Sequence, residues 1–329
     1  MPRIYWTQLH TRLHKTLRQR SLLPSEARVL IAVSGGQDSL CLGKLLLDLS
    51  YKWNWRLAIA HCDHRWSTDA GIAERVDEVA QRWQLPFYLK IADVVKETEA
   101  AARQWRYRAL IEVAREREFE YVVTGHTKSD RAETFLYNLV RGAGANGLSA
   151  LSWQRTLTPE IALVRPLLEV SRQETLEFCR QFELPIWFDT VNQNPQYARS
   201  RIRGELIPYL QEQFNPQVEK SLAQTAELLK ADVEYLETVA RDLLHRAIDN
   251  NSYRLNRSCL RNAPLAIQRR AIRQFLPQMI NKSPNFEQIE AVVNLIDAPN
   301  KSRTSTLPGG AIAEVEGEWI VFDRDSNRS

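Results

Sequence analysis

Cysteine is scarce in this chain. The 329 residues include four, at Cys41, Cys62, Cys179 and Cys259, and no two stand as a C-x-x-C pair. That spacing argues against a zinc ribbon or a redox dithiol. It leaves reduced packing thiols in a cytoplasmic protein as the expectation. Long apolar runs are missing too, so no membrane partner is expected. The first residues are polar and basic and lack the apolar centre of a signal peptide. The formal net charge is only +4, too mild to argue for a nucleic-acid partner by its sum, so its placement matters more. There is no internal repeat and no low-complexity segment. The length suggests two domains.

What is present centres on Ser34-Gly35-Gly36-Gln37-Asp38-Ser39. This stretch follows an apolar strand pattern, Val29 to Val33, and opens an amphipathic helix pattern, Leu40 to Leu49. Glycines let a ligand approach the backbone. A helix start supplies unpaired N–H donors and the positive end of a dipole. Serine hydroxyls add donors, and Asp38 adds a carboxylate suited to Mg²⁺. Together these make a pyrophosphate cradle. It is not a Walker A loop: Gly36 to Gly43-Lys44-Leu45 has the wrong spacing and no hydroxyl after the lysine. An enzyme that releases the β- and γ-phosphates as one group fits that absence.

From Val29 to about Leu168, short apolar runs alternate with helical stretches. The spacing predicts strands at 56–60, 86–91, 121–125 and 161–168, and helices at 69–83, 97–117 and 130–141. Alternation of this kind predicts a parallel α/β sheet. Ligands bind beyond the carboxyl ends of such strands, where Ser34, His61 and Gly125-His126 all fall. Residues 1–215 are therefore read as an ATP-binding catalytic domain. Residues 216–329 are read as a linker helix and a smaller, mainly helical domain. Helices are expected over 217–248, 258–275 and 285–296, and a small hairpin over 303–323 turning at Pro308-Gly309-Gly310.

The S-G-G-x-D-S pattern after a strand resembles the PP-loop ATP pyrophosphatase superfamily. Further motifs narrow the resemblance to the tRNA(Ile)-lysidine synthetase family. His61-Cys62-Asp63-His64-Arg65 is similar to its H-x-x-H-x-L/W-R stretch, although two histidines and an aspartate at this spacing are also metal-ligand types. Arg103 and Arg106-Tyr107 match E-x-x-x-R-x-x-R-Y. Gly125-His126-Thr127-Lys128-Ser129-Asp130-Arg131-Ala132-Glu133-Thr134 matches G-H-x-x-D-D-x-x-E-T, with Ser129 in place of the first aspartate. Arg141 to Leu148 matches R-G-x-G-x-x-G-L. Arg165-Pro166-Leu167-Leu168 and the segment holding Asp189, Asn192, Asn194, Tyr197, Arg199 and Arg203 complete it, with Val191 where a small hydroxyl residue is common.

The resemblance implies an adenine nucleotide α-hydrolase-like fold and a two-step ligation. ATP adenylates the wobble cytidine of an isoleucine tRNA bearing the CAU anticodon. The ε-amine of L-lysine then displaces AMP. On this reading Ser34, Gly35, Gly36, Gln37, Asp38, Ser39, His61, Gly125 and His126 bind ATP, and Asp38 also holds Mg²⁺. Asp38, Arg106, Asp130 and Glu133 are catalytic, with Asp130 and Glu133 sharing the tasks of ammonium binding and proton removal. Arg103, Arg141, Arg199 and Arg203 line the tRNA path. No permanently bound cofactor is expected, and monomer or homodimer stays open. Arg254 to Arg273 carries six arginines and no acids. Such a run is an electrostatic footprint for phosphates, so Arg257, Arg261, Arg269 and Arg270 are added to the tRNA contacts. Two other readings compete: a PP-loop tRNA thiolase, which would want catalytic cysteines, and a nucleotide- or RNA-binding module without turnover.

Overall fold

A computed structural model describes residues 5–66, 70–93, 98–187, 197–249 and 253–324, with only the backbone of Glu99 and Arg324. The expected contacts at Asp189, Asn192 and Asn194, and the departure at Val191, lie outside the described residues. The chain forms two compact units, Met1–Leu229 and Lys230–Ser329.

The first unit is built on β1 (Arg28–Ala32), whose Val29, Leu30 and Ile31 are fully buried. Burial on both faces is what a continuous apolar run in a parallel sheet produces. Around it stand β2 (Arg56–Asp63), β3 (Phe87–Ile91), β4 (Tyr121–Thr124), β5 (Gln154–Thr158) and β6 (Ile161–Val164), in the order β3-β2-β1-β4-β6-β5. All neighbours pair in parallel except β5, which runs antiparallel to β6. The sequence spacing does not predict β5. Gln154, Arg155 and Thr156 are exposed, so this edge strand has no buried alternation to announce it.

Successive strand residues face opposite layers. Val29, Ile31, Leu57 and Ile59 pack with α1 (Gln8–Gln19), α2 (Gln37–Trp53), α3 (Ile72–Arg82) and α7 (Arg172–Gln181). Leu30, Ala58, Val122 and Leu163 pack with Tyr107, Leu110 and Val113 of α4 (Glu99–Glu116). Helix α2 alone buries Leu40, Leu42, Leu45, Leu46 and Leu49. At about 1.5–3 kcal/mol per leucine, this stripe fixes the helix whose start forms the glycine loop. Next come α5 (Lys128–Val140), α6 (Ala145–Leu148), α8 (Ala198–Arg201), one π turn at Ile202–Leu206 and α9 (Ile207–Gln213). Helix α10 (Val218–Ala247) carries the chain into the second unit.

The second unit has its own core, including Phe275, Val292, Ala313, Val315 and Ile320. It contains β7 (Arg254–Asn256), α11 (Arg257–Arg261), α12 (Leu265–Phe275), α13 (Pro277–Ile280), α14 (Phe286–Val293), β8 (Ala311–Glu316) and β9 (Trp319–Arg324). The strands form an antiparallel sheet, β7-β9-β8. Two expectations change here. The helix read over 258–275 is broken before Pro264, which lacks an N–H and stands at the N-cap of α12. The hairpin turns at Gly317, with φ 57°, not at Pro308-Gly309-Gly310. Those three form a short 3₁₀ turn ahead of β8. The register is set by the buried alternation Ala311, Ala313, Val315, which meets Ile320 and Phe322 across the ladder. Among the described residues no helix is long and apolar enough to cross a membrane.

Candidate active site

The glycine loop follows β1 and is held from three sides. Val33 N–H donates to the carbonyl of Ala60 at 2.9 Å. Gly35 takes φ 84° and sits under α3, where an added Cβ would come within 2.9 Å of Ile72. Its carbonyl accepts from Trp187 N–H at 2.9 Å. Ser39 Oγ donates to the Gly36 carbonyl at 2.8 Å and accepts from Ser34 N–H at 3.1 Å. Gly36 is the N-cap of α2 and supplies no side-chain acceptor. The first-turn N–H groups of α2 are thus left for an anion. Gly125 explains itself sterically: a Cβ there would lie 2.7 Å from the Asp38 carbonyl oxygen and 2.9 Å from Ser39 N. Only glycine lets the end of β4 run beside the start of α2.

These residues open onto a cavity of about 580 Å³, which Ser34, Gly36, Gln37, Asp38, Ser39 and His61 all line. His61 is buried and its Nδ1 donates to the Val33 carbonyl at 2.8 Å, tying β2 to the loop. His64 packs against Trp66 and Trp105. Among the described residues no group of three or more His, Cys, Asp or Glu side chains gathers as a metal cage. Cys62 also lines the cavity. Burial pushes its thiol up to about 12, so it carries no thiolate at neutral pH.

Three carboxylates converge at one end of the cavity. Asp38 comes from the first turn of α2, and Asp130 and Glu133 from α5. Their shared partner is Arg172, the first residue of α7. Its Nε donates to Asp38 at 3.3 Å, Nη2 to Asp130 at 2.8 Å and Nη1 to Glu133 at 2.9 Å. Arg203 adds a bidentate pair to Glu133, at 2.7 and 2.8 Å. Thr175, one turn along α7, donates to the other Asp38 oxygen. Asp130 also closes the capping box of α5, accepting from Thr127 N–H at 2.7 Å and Thr127 Oγ at 2.9 Å.

The electrostatics differ within this cluster. Burial raises the Asp38 carboxyl above its ordinary range. Arg172 opposes that rise, and the neighbouring Asp130 charge adds to it. Burial would also raise Asp130, but Arg172, His126 and the Thr127 donors outweigh it and hold this carboxyl low. His126 is pulled down to about 3 by burial, with Arg165, Arg106 and Arg103 adding to the fall and Asp130 resisting it. Its imidazole is therefore neutral at pH 7, and its Nδ1 lies 2.8 Å from Thr124 Oγ.

The cavity lining is also basic. Arg103, Arg106 and Arg199 line the cavity. Arg141 lies at the end of α5, stacked on Tyr137, and does not line it. Neither Arg172 nor Thr175 stands out in the sequence. Their signal is Ser171-x-x-Glu174, a capping box that marks the start of α7. Ser129, standing where the motif has aspartate, donates to Glu219 at 3.0 Å and accepts from Arg172 N–H at 3.3 Å. A carboxylate at 129 would face that glutamate with like charge.

The arginines of the second unit are met by partners from outside their run, which itself holds no acid. Arg257 is buried, and its three nitrogens donate to the carbonyls of Ile296, Gly317 and Ala298. Arg261 pairs with Asp297 and Arg269 with Glu290. Arg270 and Arg273 share Glu237. The acids come from distant sequence positions, which a local count does not see.

A PP-loop domain family model matches residues 6–210. A tRNA(Ile)-lysidine synthase of Nostoc sp. is 54% identical over 98% of this chain and 99% of its own length. One of Synechocystis sp. is 54% identical over 96% and 98%. Among solved structures, a U34-tRNA thiolase of Methanococcus maripaludis superposes with TM-score 0.57 at 18% identity, covering 67% of this chain and 77% of its own, and so shares the fold. With a glycine loop, an acid cluster and a basic wall on that fold, and with near-full-length relatives at this identity, the chain belongs to the tRNA(Ile)-lysidine synthase family.

Proposed function

We propose that this chain joins the ε-amine of lysine to the wobble cytidine of isoleucine tRNA bearing the CAU anticodon, using ATP and releasing AMP and pyrophosphate. One observation carries the reading. An anion seat at the start of α2 adjoins a seat where three carboxylates already gather around a cation, the Arg172 guanidinium. A ligation of an amine by way of a nucleotide needs both seats side by side.

Ser34, Gly35, Gly36, Gln37 and Ser39 hold the departing β- and γ-phosphates through backbone N–H groups and hydroxyls. His61, Gly125 and His126 shape the rest of the nucleotide pocket. His126, neutral at pH 7, adds no charge that would compete for the phosphates. Arg106 stands on the cavity wall to neutralise charge where adenylation occurs. Mg²⁺ suits the donors present: one or two carboxylates plus phosphate oxygens are its usual set, and Asp38 would hold it. When bound, it neutralises charge on the leaving pyrophosphate.

The lysine ammonium must lose a proton before it attacks. With a reference pKa near ~10.4, that step takes roughly 4–5 kcal/mol at pH 7. Asp130, kept ionised by Arg172 and the Thr127 cap, is the counter-ion that docks the ammonium. Glu133, the most buried of the three carboxylates, takes that proton and frees the amine lone pair for attack. Arg103, Arg199 and Arg203 guide the unstacked anticodon base into the cavity. The setting is the cytoplasm, where the RNA substrate is. The thiolase reading loses ground because the relatives that match this chain nearly end to end are tRNA(Ile)-lysidine synthases.

Purified protein with ATP, lysine and CAU-anticodon tRNA tests this. AMP release that depends on lysine, with a nucleoside mass gain of one lysine less one water, is the expected result. AMP release without lysine, or a sulfur-sized mass gain, overturns it.

A further inference from the structure

Four arginines from three segments gather at one tyrosine on the α4 side of the sheet: two from α4 itself, one from β5 and one from just after β6. The guanidinium carbons of Arg103, Arg106 and Arg155 lie 5.4, 5.9 and 5.2 Å from the centroid of Tyr107. Arg165 is 2% exposed and also acts electrostatically on that phenol. Among the described residues, no carboxylate is within ion-pair distance of Arg103, Arg106, Arg155 or Arg165. Among the described residues, Tyr107 Oη and Arg165 Nε find no well-formed partner beyond their contact with each other.

Such a cluster is electrostatically expensive. Arg103, Arg106 and Arg155 gain a little from the aromatic ring, but the four charges repel one another. Burial pulls Arg103 below the usual arginine range, and the charges of Arg106, Arg199 and Arg155 pull it further. An arrangement of unpaired donors and like charges is relieved by an anion. Its outline distinguishes which anion. Arg103 and Arg106 line the cavity, whereas Arg155 lies on the exposed edge strand β5 and does not. A free nucleotide fits inside the cavity. A ligand that also reaches Arg155 is a chain passing over its rim.

We propose that Arg103 and Arg155, fixed on the Tyr107 ring and backed by Arg165, form a seat for a phosphodiester of the RNA substrate as it enters the cavity. This rests on the RNA-modifying reading above and adds Arg155, Arg165 and Tyr107 to it. The seat is sequence-independent: it sets the position of the strand and leaves base recognition to the cavity.

The test uses Arg155→Ala and Arg155→Lys in the full chain, since an exposed edge-strand side chain is dispensable for folding. Binding of unmodified CAU-anticodon tRNA is titrated across salt concentrations, and binding of ATP alone is measured in parallel. The seat requires the alanine variant to lose about tenfold in RNA affinity, with a salt slope shallower by roughly 0.7–0.9, the value of one phosphate contact. Arg155→Lys restores most of that slope, Tyr107→Phe keeps the ring and the affinity, and ATP binding is unchanged. Unaltered RNA affinity and slope for Arg155→Ala, or weakened ATP binding with an unaltered RNA slope, overturns the proposal. The readout is binding, so it fails separately from the chemistry: a wild-type chain that binds RNA through this seat yet forms no lysidine overturns only the reaction.

Discussion

The arginines of the two units carry the same charge and live in opposite surroundings. In Lys230–Ser329, Arg257 is bound by three carbonyls, and Arg261, Arg269, Arg270 and Arg273 are answered by Asp297, Glu290 and Glu237. In Met1–Leu229, Arg103, Arg106 and Arg155 lie around one tyrosine ring and have no carboxylate partner among the described residues. A basic run in a sequence therefore measures little until its counter-ions are located. The cleft adds a third condition. Arg172 is more heavily paired than any arginine of the second unit, yet its partners are the three carboxylates proposed to do chemistry. What separates structural from functional pairing is whether the acids face a cavity.

The largest effect should come from Asp38, which tests that last distinction directly. Asp38→Asn should abolish AMP formation, because the amide carries no charge for a cation. The same change should raise the melting temperature at pH 7 by a few degrees. The sign follows from the folded carboxyl sitting above its ordinary 3.8. Stability is lost as pH rises from the unfolded value through the raised folded one, because ionisation is harder in the native state. The asparagine variant escapes that loss, so the two melting curves should meet below about pH 3.8. A variant that is inactive and also less stable at pH 7 would show Asp38 to be a structural anchor.

Arg172→Ala comes next, with an expected loss in kcat/KM of about 100-fold, roughly 2.7 kcal/mol. Its pH profile separates a cleft role from simple propping. Without the guanidinium, burial raises the Asp130 carboxyl unopposed by its main partner. The acid limb for lysine should move to higher pH. A rate loss with an unmoved limb would make Arg172 resemble the paired arginines of the second unit, and the comparison would break.

Much of the fold beneath this contrast is legible in the amino-acid order. The central strands stand out because Val29 to Ile31 are apolar on both faces. The glycine loop stands out because its residues are contiguous. The convergence on Arg172 does not, since it joins α2, α5 and α7 across more than 130 residues of chain. The second unit misleads for the same reason. Arg269 meets Glu290 and Arg273 meets Glu237 only after α12 packs on α14 and α10. Strand β5 gives no signal because an exposed edge needs no apolar alternation, and Arg155 is hidden with it.

Within the second unit the pairing is predicted to serve the fold. Arg257→Ala removes donors from three carbonyls at once, that of Ile296 buried and those of Ala298 and Gly317 nearer the surface. Unsatisfied groups of this kind cost about 1–3 kcal/mol each, and local water recovers part, so a loss of roughly 2–4 kcal/mol is expected. Denaturant unfolding measures it. Retained stability with weakened RNA binding would return Arg257 to the RNA contacts.

The smallest effect should fall on Arg269, whose pair with Glu290 is open to solvent on one side and geometrically complete at 2.6 and 2.7 Å. A guanidinium already engaged by a carboxylate must break that pair before it can meet a phosphate, and the gain from one contact largely cancels the loss of the other. Exposed pairs are also screened by salt. Arg269→Ala should therefore change affinity for tRNA by less than twofold and leave the salt slope unaltered, where Arg155→Ala changes both. Glu290→Gln offers the reciprocal measurement. If freeing Arg269 in that variant tightens RNA binding and steepens the slope, the second unit holds a latent phosphate contact that its own acid suppresses. If it changes nothing, the counter-ion is not what keeps Arg269 from RNA, and the division between the two sets of arginines rests on where they stand.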